Sequence, residues 1–123
     1  MFFVQFVSLD EAFTNGKTLE EALFNASEVL TLTLLGRLEE GMEIPKPEQG
    51  VEGAHYVAPD AKTQAALLLR HVRGDRTYAE LARALETSWD VAKRLEDASH
   101  WPSLRALDRA AAALGKRLVL SLN

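Results

Sequence analysis

Thr77-Tyr78-Ala79-Glu80-Leu81-Ala82-Arg83-Ala84-Leu85, a three-residue turn, and a second run through Ser88-Trp89-Asp90-Val91-Ala92-Lys93-Arg94-Leu95 decide how this chain folds. Thr77 followed three residues on by Glu80 is a capping box, because a threonine hydroxyl at a helix start accepts an amide that has no partner within the helix. Ser88 is the equivalent N-cap for a helix predicted from Trp89 to about Ala98. Small Ala82 stands where two such helices cross, and Leu81, Leu85, Ala92 and Leu95 face inward. Two short helices joined this tightly fit a helix-turn-helix, in which the first helix braces the second toward a major groove about 12 Å wide.

That geometry leaves Trp89, Asp90, Lys93, Arg94 and Asp97 on the outer face of the second helix. Arg94 suits a bidentate contact to a guanine edge, and Lys93 reaches bases or phosphate. Thr77 and Ser88, at helix starts, offer backbone amides and hydroxyls to phosphates. The predicted DNA-binding residues are therefore Thr77, Ser88, Trp89, Asp90, Lys93 and Arg94. Trp101, just before Pro102, is read as packed against the helix that follows.

Outward from this core, residues 61–72 are helical with Ala65, Leu68, Leu69 and Val72 on one side, and Gly74-Asp75 ends the run. Pro102-Ser103 starts another helix through Leu114, closed by Gly115. Leu118, Leu120 and Leu122 then alternate with Val119 and Ser121 as a terminal strand. A terminal apolar strand needs a partner, so Leu118, Val119, Leu120 and Leu122 are predicted to pair with the same strand of a second copy.

The first half reads differently. Phe2 to Val7 is a β-forming run, Asn15-Gly16 signals a turn, and Thr18 with Glu21 is a further capping box. Leu19, Ala22, Leu23, Ala26, Leu30, Leu34 and Leu38 form one apolar stripe of a helix ending near Gly41. Ile44-Pro45-Lys46-Pro47 forbids helix, and a short strand is expected around His55 to Val57. A β-α-β arrangement with two strands under one helix buries little.

Charge separates along the same division. Residues 1–60 hold eleven acidic and three basic side chains, net −8, whereas residues 61–123 hold eleven basic and seven acidic, net +4. An acidic half attracts a basic partner, and a basic half attracts a polyanion. With 123 residues, each half is near the size at which an isolated core is marginal, so oligomerisation is expected. The chain contains no cysteine, which excludes disulfides and thiolate metal sites and suits a reducing cytoplasm. No signal peptide and no run of membrane-spanning length is present.

The catalytic patterns are missing as well. His55, His71 and His100 show no metal-ligand spacing, and no Ser-His-Asp set or glycine-rich phosphate loop occurs. The expectation is a non-enzyme with no catalytic residues, no metal and no cofactor.

The Thr77 to Leu85 segment, Arg94-Leu95-Glu96, and Pro102-Ser103-Leu104 through Ala113-Leu114-Gly115 together resemble the Xre/Cro repressor family over roughly residues 61–115. Glu86 stands where that family usually has glycine in the turn, a left-handed position that costs a non-glycine residue on the order of 1 kcal/mol. Thr14-Asn15-Gly16-Lys17-Thr18-Leu19-Glu20-Glu21-Ala22, Asn25-Ala26 and Glu43-Ile44-Pro45-Lys46-Pro47 are similar to the first domain of HicB antitoxins. With the closing Leu114-Gly115-Lys116-Arg117-Leu118-Val119-Leu120-Ser121-Leu122, nearly the whole chain resembles the HicB subclass that carries a C-terminal helix-turn-helix.

The resemblance implies an α+β fold in two parts. Residues 1–58 correspond to a degenerate RNase H-like toxin-binding domain whose first family strand is absent, with no individual toxin contact assigned. Residues 59–123 correspond to an Xre/Cro-like DNA-binding and dimerisation domain ending in a dimerising strand. The implied partners are a basic HicA-like ribonuclease toxin that cleaves mRNA, double-stranded operator DNA, and further copies in a homodimer or higher even-numbered oligomer. A free-standing Xre-type repressor with no toxin is the alternative.

Overall fold

In a computed structural model describing residues 1–123, the chain is α+β, with a two-stranded antiparallel sheet and five helices. It divides into two compact units, Met1–Thr63 and Gln64–Asn123.

The first unit opens with a hairpin. β1 (Phe2–Gln5) pairs antiparallel with β2 (Phe13–Gly16), with Phe2 opposite Gly16 and Gln5 opposite Phe13. The sequence reading made Asn15-Gly16 a turn, and this is corrected: both residues lie in β2. Gly16 is demanded by proximity instead of by a turn, because a Cβ placed there would lie 2.4 Å from the backbone nitrogen of Ala22. The actual reversal spans residues 6–12. Its amide bonds run from Phe6 to the Ala12 carbonyl and from Ala12 to the Leu9 carbonyl, and the Gln5 side chain donates to the Phe6 and Ala12 carbonyls at 3.2 and 3.3 Å.

α1 (Leu19–Glu39) starts where the capping box places it, with the Thr18 hydroxyl accepting from the Glu21 amide at 3.1 Å. Ala22, Ala26, Leu30 and Leu34, spaced four apart, are the buried stripe, while Leu19 is exposed and Leu23 and Leu38 are half-buried. Two alanines at the start of the stripe, opposite a glycine in β2, let helix and hairpin approach closely. Asn25 donates to the Asn15 carbonyl at 2.9 Å and ties the two together. Alternation in β1 leaves Val4 half-buried and Phe3 79% exposed, so the outer face of the hairpin, with Phe3 and Phe13, meets solvent.

The strand expected at His55 to Val57 does not form, so the first unit is β-β-α and not β-α-β. The stretch from Tyr56 to Asp60 is held by side chains instead of a ladder: Ser27 donates to the Ala58 carbonyl at 2.6 Å, Thr31 accepts from the Asp60 amide at 2.9 Å, and the Tyr56 hydroxyl meets the Glu48 carbonyl at 3.3 Å.

Arg37 near the end of α1 makes a two-pronged pair with Glu11 in the hairpin loop, at 2.7 and 2.8 Å, and also donates to the Glu43 carbonyl. The bond from Arg37 draws the Glu11 carboxyl from its ordinary 4.5 to about 2. A lowered carboxylate pKa stabilises the fold above the unfolded value, and that contribution is lost as pH falls from near 4.5 toward 2. Acid titration followed by tryptophan-independent far-ultraviolet dichroism should therefore show Glu11→Gln flattening the stability loss in that window; an unchanged slope refutes the linkage.

The second unit is helical. α2 (Ala61–Arg73) is started by Asp60, whose carboxylate accepts from the Thr63 amide at 3.0 Å, and is followed by Gly74 at φ 58. α3 (Tyr78–Ala84), α4 (Trp89–Arg94) and α5 (Leu104–Ala113) begin on Thr77, Ser88 and Ser103, each accepting the amide three residues on at 3.0 to 3.3 Å. α4 is shorter than the predicted reach to Ala98. Leu69, Leu81, Ala82, Leu85, Ala92, Ala110 and Leu114 form one buried cluster, with Val72, Leu95, Leu107 and Ala113 packed on it. Alanine at the crossings lets short helices meet without voids.

Residues 116–123 form no strand in the single chain, so the second unit has no β element. A strand is defined by its ladder, and no segment of the same chain supplies one here. Leu118 is half-buried, while Val119, Leu120 and Leu122 are exposed. No helix is long and apolar enough to cross a membrane.

Candidate nucleic-acid interface

The turn between α3 and α4 has one special residue. Glu86 adopts φ 55, the left-handed conformation that glycine takes at no steric cost, while Leu85 before it caps α3. The chain can then reverse within three residues, and the Thr87 amide returns to the Ala82 carbonyl at 2.9 Å. Buried Leu81, Ala82 and Ala92 hold the two helices together from beneath. The charged side chains of α3 and α4 themselves are left outside.

Thr77, Ser88, Trp89, Asp90, Lys93 and Arg94 are all exposed. The Thr77 and Ser88 hydroxyls accept from the Glu80 and Val91 amides, which leaves each O–H free to donate outward. Within α4, the Lys93 ammonium lies 5.1 Å from the centre of the Trp89 ring. Trp89 in turn meets Tyr78 of α3 edge-on, with centroids 5.8 Å apart and planes at 86°. Thr77 and Ser88 cap different helices and share no bond. Asp97, beyond the last turn of α4, accepts from the Ser99 amide and hydroxyl, and those bonds lower its pKa.

Sequence reasoning missed the group that holds this surface rigid. Glu96, buried, accepts from the Nε and Nη2 of Arg73 of α2 along one edge of the guanidinium, and the Tyr78 hydroxyl donates to it at 3.4 Å. The Arg73 guanidinium also stacks 4.2 Å above the Tyr78 ring. The hydrogen bonds to Glu96 raise the Arg73 pKa further, and burial raises that of Tyr78. One carboxylate thus joins α2, α3 and the end of α4. The available signal was Glu96 closing an otherwise apolar inward set with an arginine at the end of the preceding long helix. Trp101, expected to be packed, is 64% exposed.

The arrangement places donors, one acceptor carboxylate and an aromatic edge on a single short helix. No three His, Asp or Glu side chains converge in a way that would hold a metal ion.

No family model matches the chain. Individual proteins do. It is 37% identical over 119 residues to Antitoxin HicB 2 of Photorhabdus laumondii, covering 95% of this chain and 84% of that protein. Antitoxin HicB 1 of the same organism is 30% identical over 123 residues, 98% of this chain and 78% of the relative. Antitoxin HicB of Escherichia coli K12 is 30% identical over 121 residues, 97% and 88% respectively.

The chain belongs to the HicB antitoxin family. The likeness runs through both units of this HicB chain, so it embraces the acidic hairpin and α1 as well as the α3–α4 surface.

Proposed function

We propose that this HicB antitoxin neutralises a HicA-type mRNA-cleaving toxin with its first unit and represses its own operon by binding operator DNA with its second. The observation that carries the reading is the 37% identity to an antitoxin along 95% of the chain. The net −8 of residues 1–60 supports a basic partner for the first unit, since opposite charge steers association and suppresses wrong partners. The exposed Lys93 and Arg94 on α4, within a half of net +4, support DNA for the second.

In this mechanism Arg94 takes a guanine edge, Lys93 a base or phosphate, and the Thr77 and Ser88 hydroxyls donate to phosphates flanking the groove. Leu118 to Leu122 complete a strand ladder with a second copy, and Val119, Leu120 and Leu122 lose their exposure there. Two-fold pairing sets the recognition helices about 34–36 Å apart, one turn of DNA. Holding toxin and operator in one assembly couples neutralisation to repression inside the cytoplasm. The chain contributes no catalytic group and needs no cofactor.

The test has two arms. Co-expression with the neighbouring reading frame should yield a complex with a small basic protein; if none co-purifies while promoter binding persists, a free-standing Xre-type repressor is the correct reading. In the second arm, Arg94→Ala should weaken operator binding by about 1–3 kcal/mol per half-site and leave toxin inhibition intact, as read by gel shift and by an mRNA-cleavage assay. Equal affinity of wild type for operator and scrambled duplex refutes operator recognition.

A further inference from the structure

Trp89 is a large aromatic left at the start of a helix whose outward side chains are otherwise the charged Asp90, Lys93 and Arg94 and the smaller Val91. It is 47% exposed, yet it is not loose: Tyr78 abuts it edge-on at 5.8 Å, and the Lys93 ammonium lies 5.1 Å from its ring centre. Tyr78 is itself held by Arg73 stacked 4.2 Å away and by its hydroxyl bond to buried Glu96. The indole is therefore braced by α3 and by the core ion pair, and side-chain entropy is already lost before any ligand arrives.

A braced apolar edge at the tip of a groove-entering helix has few matches. In the major groove the purine edges present N7 and a carbonyl or amine, and cytosine presents its amine. Thymine alone offers an apolar group there, the C5-methyl. An indole has no acceptor, so it takes no cytosine or adenine amine, and the acceptors its Nε1–H could meet are shared by guanine, adenine and thymine, so only contact with the methyl singles out one base.

We propose that Trp89 is a specificity-determining residue that packs on a thymine C5-methyl in each operator half-site. The proposal rests on the reading of the second unit as an operator-binding domain and extends it from affinity to base choice. Lys93, over the ring, keeps a positive charge beside that contact for the adjoining phosphate or base.

The experiment replaces each thymine of the chain's own promoter operator, one at a time, with deoxyuridine, which removes the methyl and leaves every hydrogen-bonding group in place. The duplexes are titrated at fixed salt with full-length wild type and with Trp89→Ala. One thymine per half-site should weaken wild-type binding about four-fold on losing its methyl, the value of one buried carbon, and Trp89→Ala should bind both duplexes equally. If alanine unfolds the unit by circular dichroism, Trp89→Gln makes the same comparison, keeping a long side chain without the apolar edge. Wild-type binding insensitive to every methyl, or a variant that keeps the four-fold difference, overturns the proposal while leaving operator binding standing. Wild type that binds operator no better than scrambled duplex overturns both.

Discussion

Glu96→Ala is expected to lower the stability of the second unit by about 3–5 kcal/mol, the usual consequence of removing one partner from a buried ion pair. The cause is what remains. Arg73 keeps its charge at any accessible pH, its side chain is 15% exposed, and without the carboxylate it has lost both of its charged bonds. Tyr78 loses its acceptor in the same change. Domains of this size have little stability to spare, so a loss of this magnitude unfolds much of the population near 37 °C. Urea denaturation followed by circular dichroism measures it, and a midpoint shift corresponding to less than 1 kcal/mol sinks the account. The paired change Arg73→Met with Glu96→Leu should recover most of the loss, because replacing both ions with apolar groups of similar volume removes the stranded charge. The same comparison separates stability from recognition: the double variant should fold yet hold Trp89 less firmly, since Tyr78 is no longer pinned.

The second large effect lies in the other unit. Gly16→Ala should cost at least about 3 kcal/mol, the upper part of the range for overpacking, because the added carbon meets backbone and not a movable side chain. Its neighbours are the Ala22 nitrogen at 2.4 Å, the Ala22 Cα at 2.7 Å and the Glu21 carbonyl carbon at 2.9 Å. Relief requires the first turn of α1 to retreat from β2, which strains the Asn25 bond to the Asn15 carbonyl and uncovers Ala22 and Ala26. Amide hydrogen exchange should accelerate across β1, β2 and the start of α1. Unchanged protection at those amides shows that hairpin and helix are not packed as closely as described.

These two residues also mark what was legible in the sequence. The starts of α1, α3, α4 and α5 were all readable, because a Thr or Ser cap acts on an amide three residues away and needs nothing distant. The left-handed turn at Glu86 came instead from the resemblance, in which glycine usually stands at that position. Gly16 was misread for the complementary reason: Asn-Gly is a local turn signal, but here the glycine answers to Ala22, reached only after the helix folds back. The segment at residues 55–57 has β-forming side chains and no ladder, and the chain just after it is tied at Ala58 and Asp60 to Ser27 and Thr31 some thirty residues earlier. Glu96 was not singled out, because burial of a carboxylate depends on an arginine twenty-three residues away. The exposed DNA-binding candidates were easier, as the outer face of a short helix follows from its inner one. Contacts in the first unit for a basic protein were not assignable, since Phe3 and Phe13 on the outer hairpin carry no charge pattern that names a ligand.

The hydroxyl caps have a consequence for timing. In the second unit α3, α4 and α5 each begin on a side chain that recruits an amide within the same turn, and the links between them are short. Structure specified at such close range gives a low contact order, and helical domains of that type fold in microseconds to milliseconds. A newly translated chain thus acquires this unit almost as soon as residues 64–123 have left the ribosome.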